Sequence, residues 1–230
     1  MKLSAIIPVL NEEAHIQQVV ERLCEGGKDL LADILVVDGG SQDNTAELAA
    51  CAGASVIRAP RRGRSAQMNY GAKYASGDVL YFVHGDTLPP LSYAEDLRQA
   101  IEGGFPIGCF RLKLDSRNPF LRINAFMTRF PFMWCRGGDQ TLYVTREVFD
   151  ELGGYREDFM IMEEYDFIER ARATYPFKIL AKSVLASARK YEANSYLQVQ
   201  FANMIVFNMF RMGYSQQKMK NTYQKLIDWR

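Results

Sequence analysis

The stretch Asp78-Val79-Leu80-Tyr81-Phe82-Val83-His84-Gly85-Asp86-Thr87 narrows the folds open to this chain more than any other. Val79 to Val83 is an unbroken apolar run, which suits a strand covered on both faces, as in a parallel sheet. The run stops at His84-Gly85-Asp86, a corner carrying a carboxylate, and Pro89-Pro90 closes it off. In an open α/β sheet, ligands gather outside the carboxyl ends of the strands. Asp86 therefore stands where a ligand would be met. An acid that merely caps the next helix would look the same, so the earlier strands have to decide.

They end the same way. Residues 3–8 read as a buried strand stopped by Pro8. Asn11 can cap a following helix, with Glu12 and Glu13 at the positive end of its dipole. Ile16, Val19, Val20 and Leu23 recur at helical spacing, and Gly26-Gly27 end the helix. Residues 33–38 form a second strand ending in Asp38 and the turn Gly39-Gly40-Ser41, and Asp43-Asn44-Thr45 cap the helix after it. Residues 54–57 form a third, which empties into Arg58, Arg61, Arg62 and Arg64; a helix over 65–74 leads to the central strand. This alternation predicts an α/β fold with a doubly wound, mostly parallel sheet. Its carboxyl edge gathers Pro8, Asn11, Asp38, the arginines and Asp86: an acid for a base or ribose, cations for phosphates, and an acid for a metal.

Beyond Pro90 the rhythm loosens. Residues 108–114 alternate as a half-exposed strand does. Residues 118–130 read as a helix, Gly137-Gly138-Asp139-Gln140 as a polar turn, and 141–144 as a strand. Met162-Glu163-Glu164-Tyr165-Asp166 opens a helix reaching about Ala173, its three acids suiting the helix dipole. Residues 195–212 and 215–229 are two further helices broken at Gly213. The division expected is a nucleotide-binding domain over 1–190 with a helical extension over 191–230 packed on it.

Several classes fall away. A net charge of +1 gives no global attraction to nucleic acid. Cys24, Cys51, Cys109 and Cys135 form no C-x-x-C pair, and with only His15 and His84 there is no zinc pattern. Reduced thiols, no signal-peptide pattern and no long apolar span make a cytoplasmic protein the expectation. The turn after the first strand has no glycine, against a G-x-G-x-x-G dehydrogenase, and no P-loop occurs. A nucleotidyltransferase's Gly-rich basic loop is absent too. What remains is a transferase that holds a nucleoside diphosphate by acids, a metal and arginines.

The residues then carry a resemblance. Ile6-Ile7-Pro8-Val9-Leu10-Asn11-Glu12-Glu13 resembles the opening of family 2 glycosyltransferases, which have the GT-A fold. Val36-Val37-Asp38-Gly39-Gly40-Ser41 resembles their second-strand motif, and Asn69-Tyr70-Gly71-Ala72 with Ala75-Ser76-Gly77-Asp78 resembles the lead-in to their D-x-D motif. His84-Gly85-Asp86 stands in that motif's place, and Glu163-Glu164-Tyr165-Asp166 resembles their E-D motif. Gly138-Asp139-Gln140 and Ser187-Ala188-Arg189-Lys190-Tyr191 are similar to the small bacterial subfamily described as radical-SAM/selenodomain-associated transferases. His84 replaces the usual first Asp of D-x-D, and Glu164 the usual Asp of E-D.

The resemblance implies inverting transfer of a sugar from a nucleotide-sugar donor, a UDP-sugar, to an acceptor hydroxyl. It makes Glu164 the catalytic base, with Asp166 as its rival and Asp139 orienting the acceptor. Pro8, Asn11, Glu12, Asp38, Arg64, Asn69 and Arg189 are the expected donor contacts. Asp86, with His84, is expected at a divalent Mn or Mg ion. The competing reading is a protein that binds a nucleotide sugar or a partner without turnover. The apolar residues of 196–210 exceed one core-facing stripe, so a homodimer interface or a peripheral seat on the inner membrane is expected there.

Overall fold

The protein was described from a computed structural model, which covers residues 1–228. Its eight strands are β1 (Leu3–Val9), β2 (Leu31–Asp38), β3 (Ser55–Arg58), β4 (Val79–Phe82), β5 (Thr87–Leu88), β6 (Ile107–Asp115), β7 (Leu142–Thr145) and β8 (Phe177–Ser187). They form one sheet in the order β3-β2-β1-β4-β7-β6-β8-β5. β3, β2, β1 and β4 run parallel, β7 is antiparallel to β4 and β6, β8 is parallel to β6, and β5 is antiparallel to β8. The α/β fold with its parallel block is as expected, and the remaining strands make the whole sheet mixed.

Two-sided burial explains the continuous apolar runs. Every residue of β1 and β4 is buried, and neighbours in sequence face opposite cores. Ile7, Val36 and Tyr81 pack on the side of α1 (Ile16–Gly27) and α4 (Tyr93–Glu102). Ile6, Val37 and Phe82 pack against α3 (Arg64–Tyr74), α6 (Arg146–Glu151) and α7 (Glu163–Arg172). The remaining helices are α2 (Thr45–Cys51), α5 (Pro119–Met127), α8 (Arg189–Ala193), α9 (Tyr196–Arg211) and α10 (Gln216–Leu226). α9 and α10 form a hairpin broken at Gly213, whose φ is +71°, and their shared core includes Ile161 of the preceding loop. The expected last residue of this hairpin, Trp229, lies outside the described residues.

Two local expectations change. Asn11 does not cap α1: it takes a left-handed φ of +56°, its Oδ1 accepts from the Gln42 amide at 2.9 Å, and the helix starts at Ile16. Gly26 and Gly27 do end α1 as expected, but they are buried there, so close to Tyr93 that a Cβ at Gly26 would lie 2.8 Å from its ring. β5 and β8 were not anticipated; β8 has no clean alternation, because the β6–β8 register shifts at Phe110/Arg111.

α3 lies flat on the sheet because Gly71 has no side chain. A Cβ there would lie 2.5 Å from Ile6 Cγ2 and 2.9 Å from Val37 Cγ2, both on buried β-branched residues with little rotamer freedom. Gly71→Ala should therefore destabilise the protein by about 1–3 kcal/mol, the usual cost of overpacking, despite alanine's better helix propensity. Urea denaturation measures this, and an unchanged midpoint would refute the packing argument.

Candidate active site

β4 runs into Val83, His84 and Asp86, and five other segments meet this corner. The β1–α1 loop brings Glu12, the start of α3 brings Arg64, the start of α7 brings Glu163 and Glu164, and the start of α8 brings Arg189. A 3₁₀ turn at Gly138–Gln140 brings Asp139. β8 delivers α8 to the corner through the Ser187 amide, which donates to the Asp86 carbonyl at 3.2 Å.

His84 is the centre of the cluster. It is 8% exposed, with Nε2 2.9 Å from Glu164 Oε1 and Nδ1 3.4 Å from Asp139 Oδ1. Burial and the Arg64 guanidinium oppose a charge on the ring, but Glu164 and Asp139 outweigh them and push its pKa up to about 10. His84 is thus an imidazolium at neutral pH. Asp139 is held well below the usual carboxylate range: desolvation works against this, and the hydrogen bond and charge of His84 prevail.

Glu163 and Glu164 are buried at the start of α7, preceded by Met162 in a left-handed conformation with φ +64°. Such backbone costs about 1–3 kcal/mol and clusters at functional sites. Burial pushes the Glu163 carboxyl up, while Arg64 Nη1, 3.3 Å away, pulls it down. The partner of Glu164 is the His84 cation, through Nε2 and Oε1.

On the other side, Arg189 forms a fork on Glu12 at 2.7 and 2.5 Å and lies 3.2 Å from Asp86 Oδ2. Burial and the Asp139 charge raise the Asp86 carboxyl, with Arg189 and His84 opposing. Asp38 ends β2, buried, with Oδ1 accepting from the Ser41 amide at 2.9 Å and hydroxyl at 2.6 Å. The Glu12 and Glu13 amides bond Thr45 Oγ1 and Asp43, locking the loops after β1 and β2 together.

Other expected site residues stand elsewhere. Asp166 pairs with Arg170 at 2.8 Å and Arg156 at 3.1 Å. Asn69 bonds both the amide and the carbonyl of Tyr155, and Pro8 is a buried β1 residue opposite Val37. Of the arginine loop, Arg62 bonds the carbonyls of Gly39 and Gly40 and Arg61 faces Glu157; Arg64 alone reaches the cluster. Sequence reasoning missed the Lys190 ammonium, which donates to Tyr223 Oη and, at 3.4 Å, to Asn203 Oδ1. The run Arg189-Lys190-Tyr191 was the available signal for it, whereas nothing local marks Tyr223.

A divalent cation fits here only as an ion that shares its ligands with a bound substrate. Among the described residues no group of three or more His, Cys, Asp or Glu side chains forms a preformed cage, and both His84 nitrogens face carboxylates. Asp86 is one hard oxygen donor, and Mg²⁺ commonly takes one or two carboxylates with water and phosphate oxygens.

The His84 charge makes stability depend on pH. Its folded pKa, about 10, lies above the ordinary 6.5, so its contribution is complete below pH 6.5 and is lost as pH rises through about 10. Urea unfolding with chelator present should show the advantage of wild type over His84→Gln shrinking from pH 6 to pH 10. A pH-independent difference would contradict an ionised His84.

Comparison with known proteins places this cluster in context. The family model described as Glycosyl transferase family 2 matches residues 4–159. A dolichol-phosphate mannosyltransferase of Pyrococcus furiosus is 34% identical over 112 residues, 46% of this chain and 32% of that protein. A glucosyl-3-phosphoglycerate synthase of Mycobacterium tuberculosis is 29% identical over 96 residues, 38% of this chain and 30% of that protein. The matches thus span about a third of these relatives' length. The synthase's crystal structure with Mn²⁺, UDP and glucosyl-3-phosphoglycerate aligns at a TM-score of 0.65 and 19% identity, over 93% of this chain and 80% of that one. The mannosyltransferase PcManGT of Pyrobaculum calidifontis, with GDP-Man and Mn²⁺, aligns at 0.66 and 17% identity over 97% and 68%. These likenesses give the GT-A fold. Since the matched region runs from β1 through β4 and on past Asp139, the chain belongs to glycosyl transferase family 2.

Proposed function

We propose that this protein is an inverting glycosyltransferase that moves a sugar from a UDP-sugar to an acceptor hydroxyl. The observation that carries the reading is the pair of carboxylates organised by one strand end: Asp86 beside Arg189, and Glu164 held on His84, which stands two residues before Asp86. One faces a cation that suits a diphosphate; the other is a buried carboxylate held in place by an imidazolium.

In this reading Asp38 receives the base, its Oδ1 fixed by Ser41 and its second oxygen left to accept from a base N–H. Arg189 and Arg64 face the diphosphate with charge-assisted hydrogen bonds. Asp86 would hold a Mn or Mg ion, which when bound neutralises charge developing on the leaving diphosphate. Glu164 takes the proton of the acceptor hydroxyl as its oxygen attacks the anomeric carbon from the face opposite the diphosphate. His84 orients Glu164 through the Nε2–Oε1 contact, and Asp139 lies on the acceptor side. Asp166 and Asn69, with Pro8, are assigned to structure rather than chemistry. Neighbours support the donor class: UDP is bound in the M. tuberculosis synthase and UDP-GlcNAc in S. aureus TarS, with GDP-Man in PcManGT.

The subfamily resemblance is supported by the convergence of its two marker segments, since Asp139 and Arg189 reach the same cleft. Residues 1–190 are read as the transferase domain and 191–230 as an extension whose Tyr223 reaches Lys190. The surplus apolar surface of α9 is a contact face, for a second copy or for a cytoplasmic membrane surface; no helix among the described residues is long and apolar enough to cross a membrane.

Calorimetry with UDP-sugars tests the donor side. Mn²⁺ should tighten binding to wild type by roughly tenfold or more, about 1.4 kcal/mol, and Asp86→Asn should abolish that increment. Asp38→Ala should weaken nucleotide binding with or without metal. Transfer that survives excess chelator, or a preference for guanosine diphosphate sugars, would overturn the assignment.

A further inference from the structure

α5 is an unusual helix for a folded domain. Its sequence Pro119-Phe120-Leu121-Arg122-Ile123-Asn124-Ala125-Phe126-Met127 is strongly apolar, yet only Leu121 is buried. Phe120 and Ile123 are each 56% exposed, and past the helix Phe132 and Trp134 are 51% and 55% exposed. These rings form a ladder: Phe126 meets Phe130 edge-on at 5.8 Å, and Phe130, Phe132 and Trp134 stack in succession at 6.2 and 5.7 Å. α9 continues the surface. Tyr196 stacks on Phe120 at 5.3 Å and donates to Asn124 Oδ1, and Leu197, Phe201 and Met204, at i, i+4 and i+7, are exposed on the same helix. Soluble monomers rarely expose apolar patches of this extent without a partner.

Charge says what the partner is. Residues 116–138 carry no acid and three arginines outside the interior, Arg117, Arg122 and Arg129, Arg136 being buried. Residues 193–227 carry no acid and Lys218, Lys220 and Lys225 besides Arg211, which pairs with Glu169, in a chain whose net charge is only +1. Beside α5 lies a groove of about 400 Å³, lined by Lys113, Arg117 and Arg122 with Ser116 and Leu121, and no carboxylate lines it. The Arg129 guanidinium sits 3.9 Å over the Phe126 ring, at the boundary between the cationic and apolar parts. Exposed aromatics rimmed by Arg and Lys suit the plane of a bilayer, with rings among the acyl chains and cations among anionic headgroups.

We propose that α5, the 130–134 aromatic ladder and the first half of α9 form a seat for an anionic membrane surface, with the Lys113–Arg117–Arg122 groove taking a phospholipid phosphate. The proposal does not depend on the assigned reaction. If Asp139 does face the acceptor, the seat also brings the acceptor side to the bilayer, because Trp134 is five residues upstream of it.

Vesicle co-sedimentation of the full chain tests this. Vesicles of phosphatidylcholine with about a third phosphatidylglycerol should bind roughly tenfold or more better than phosphatidylcholine alone, and 0.5 M salt should remove most of that gain by screening. Arg117→Gln with Arg122→Gln should cut binding to the anionic vesicles, and Phe132→Ser with Trp134→Ser should cut it independently. All four residues lie outside the cluster around His84, so UDP binding and thermal stability should be unchanged, separating lost docking from lost folding. Equal or absent binding to both vesicle types would overturn the proposal. So would a dimer in light scattering that the Phe132→Ser, Trp134→Ser variant splits, because the face would then belong to a second copy.

Discussion

The contact on which the site depends is the one between His84 and its two carboxylates. Five acids crowd the end of β4: Glu12, Asp86, Asp139, Glu163 and Glu164. Glu163 and Glu164 are buried, and buried charges of one sign are tolerated only when paired. Arg64 answers Glu163, Arg189 answers Glu12 and Asp86, and His84 answers Glu164 and Asp139 together. This also accounts for the two departures from the family pattern. An aspartate at 84 would put two anions in the place where the Nε2–Oε1 contact is 2.9 Å. With histidine at 84, the acid at 164 gains a cation, so the two substitutions form one electrostatic unit.

The same unit ties distant parts of the chain together. His84 closes the parallel block, Glu164 opens a helix packed on the opposite core, and Asp139 belongs to the turn before β7. Arg189 arrives on β8 from the far half of the sheet. Tyr223 reaches Lys190 from α10, so the C-terminal hairpin borders the cluster as well as extending the exposed apolar surface. The site is therefore a meeting of loop and helix starts around one strand end. Its geometry is supported by buried Gln67, whose amide donates to the carbonyls of Val9 and Val37 at the ends of β1 and β2.

Much of this was legible in the sequence, for identifiable reasons. The parallel block announces itself because strands buried on both faces need unbroken apolar runs, and each run of β1, β2 and β4 stops at a polar corner. The proposed site residues Asp38, Asp86 and Glu164 were picked out in the sequence by those corners and by motif resemblance. What was hidden depends on partners far along the chain. The start of α1 was misplaced because Asn11 bonds Gln42 across the loops rather than its own helix. β8 was hidden because its outward residues are mixed and its register shifts. Asp166 and Asn69 look like site residues by position, yet Arg156, Arg170 and the Tyr155 backbone claim them. His84 could be read as a metal neighbour until the fold brought Glu164 and Asp139 to its two nitrogens.

The central claim is that Glu164, held by His84, is the proton acceptor, and that Asp166 is not. The direct measurement is turnover under saturating donor for Glu164→Gln beside Asp166→Asn, with donor affinity measured in parallel. Glu164→Gln should keep donor binding and lose roughly 10²- to 10⁴-fold in kcat, the range for a positioned base. Asp166→Asn should lose far less kcat and show its effect in thermal stability. Transfer abolished in Asp166→Asn while Glu164→Gln stays within a few-fold of wild type would contradict the account.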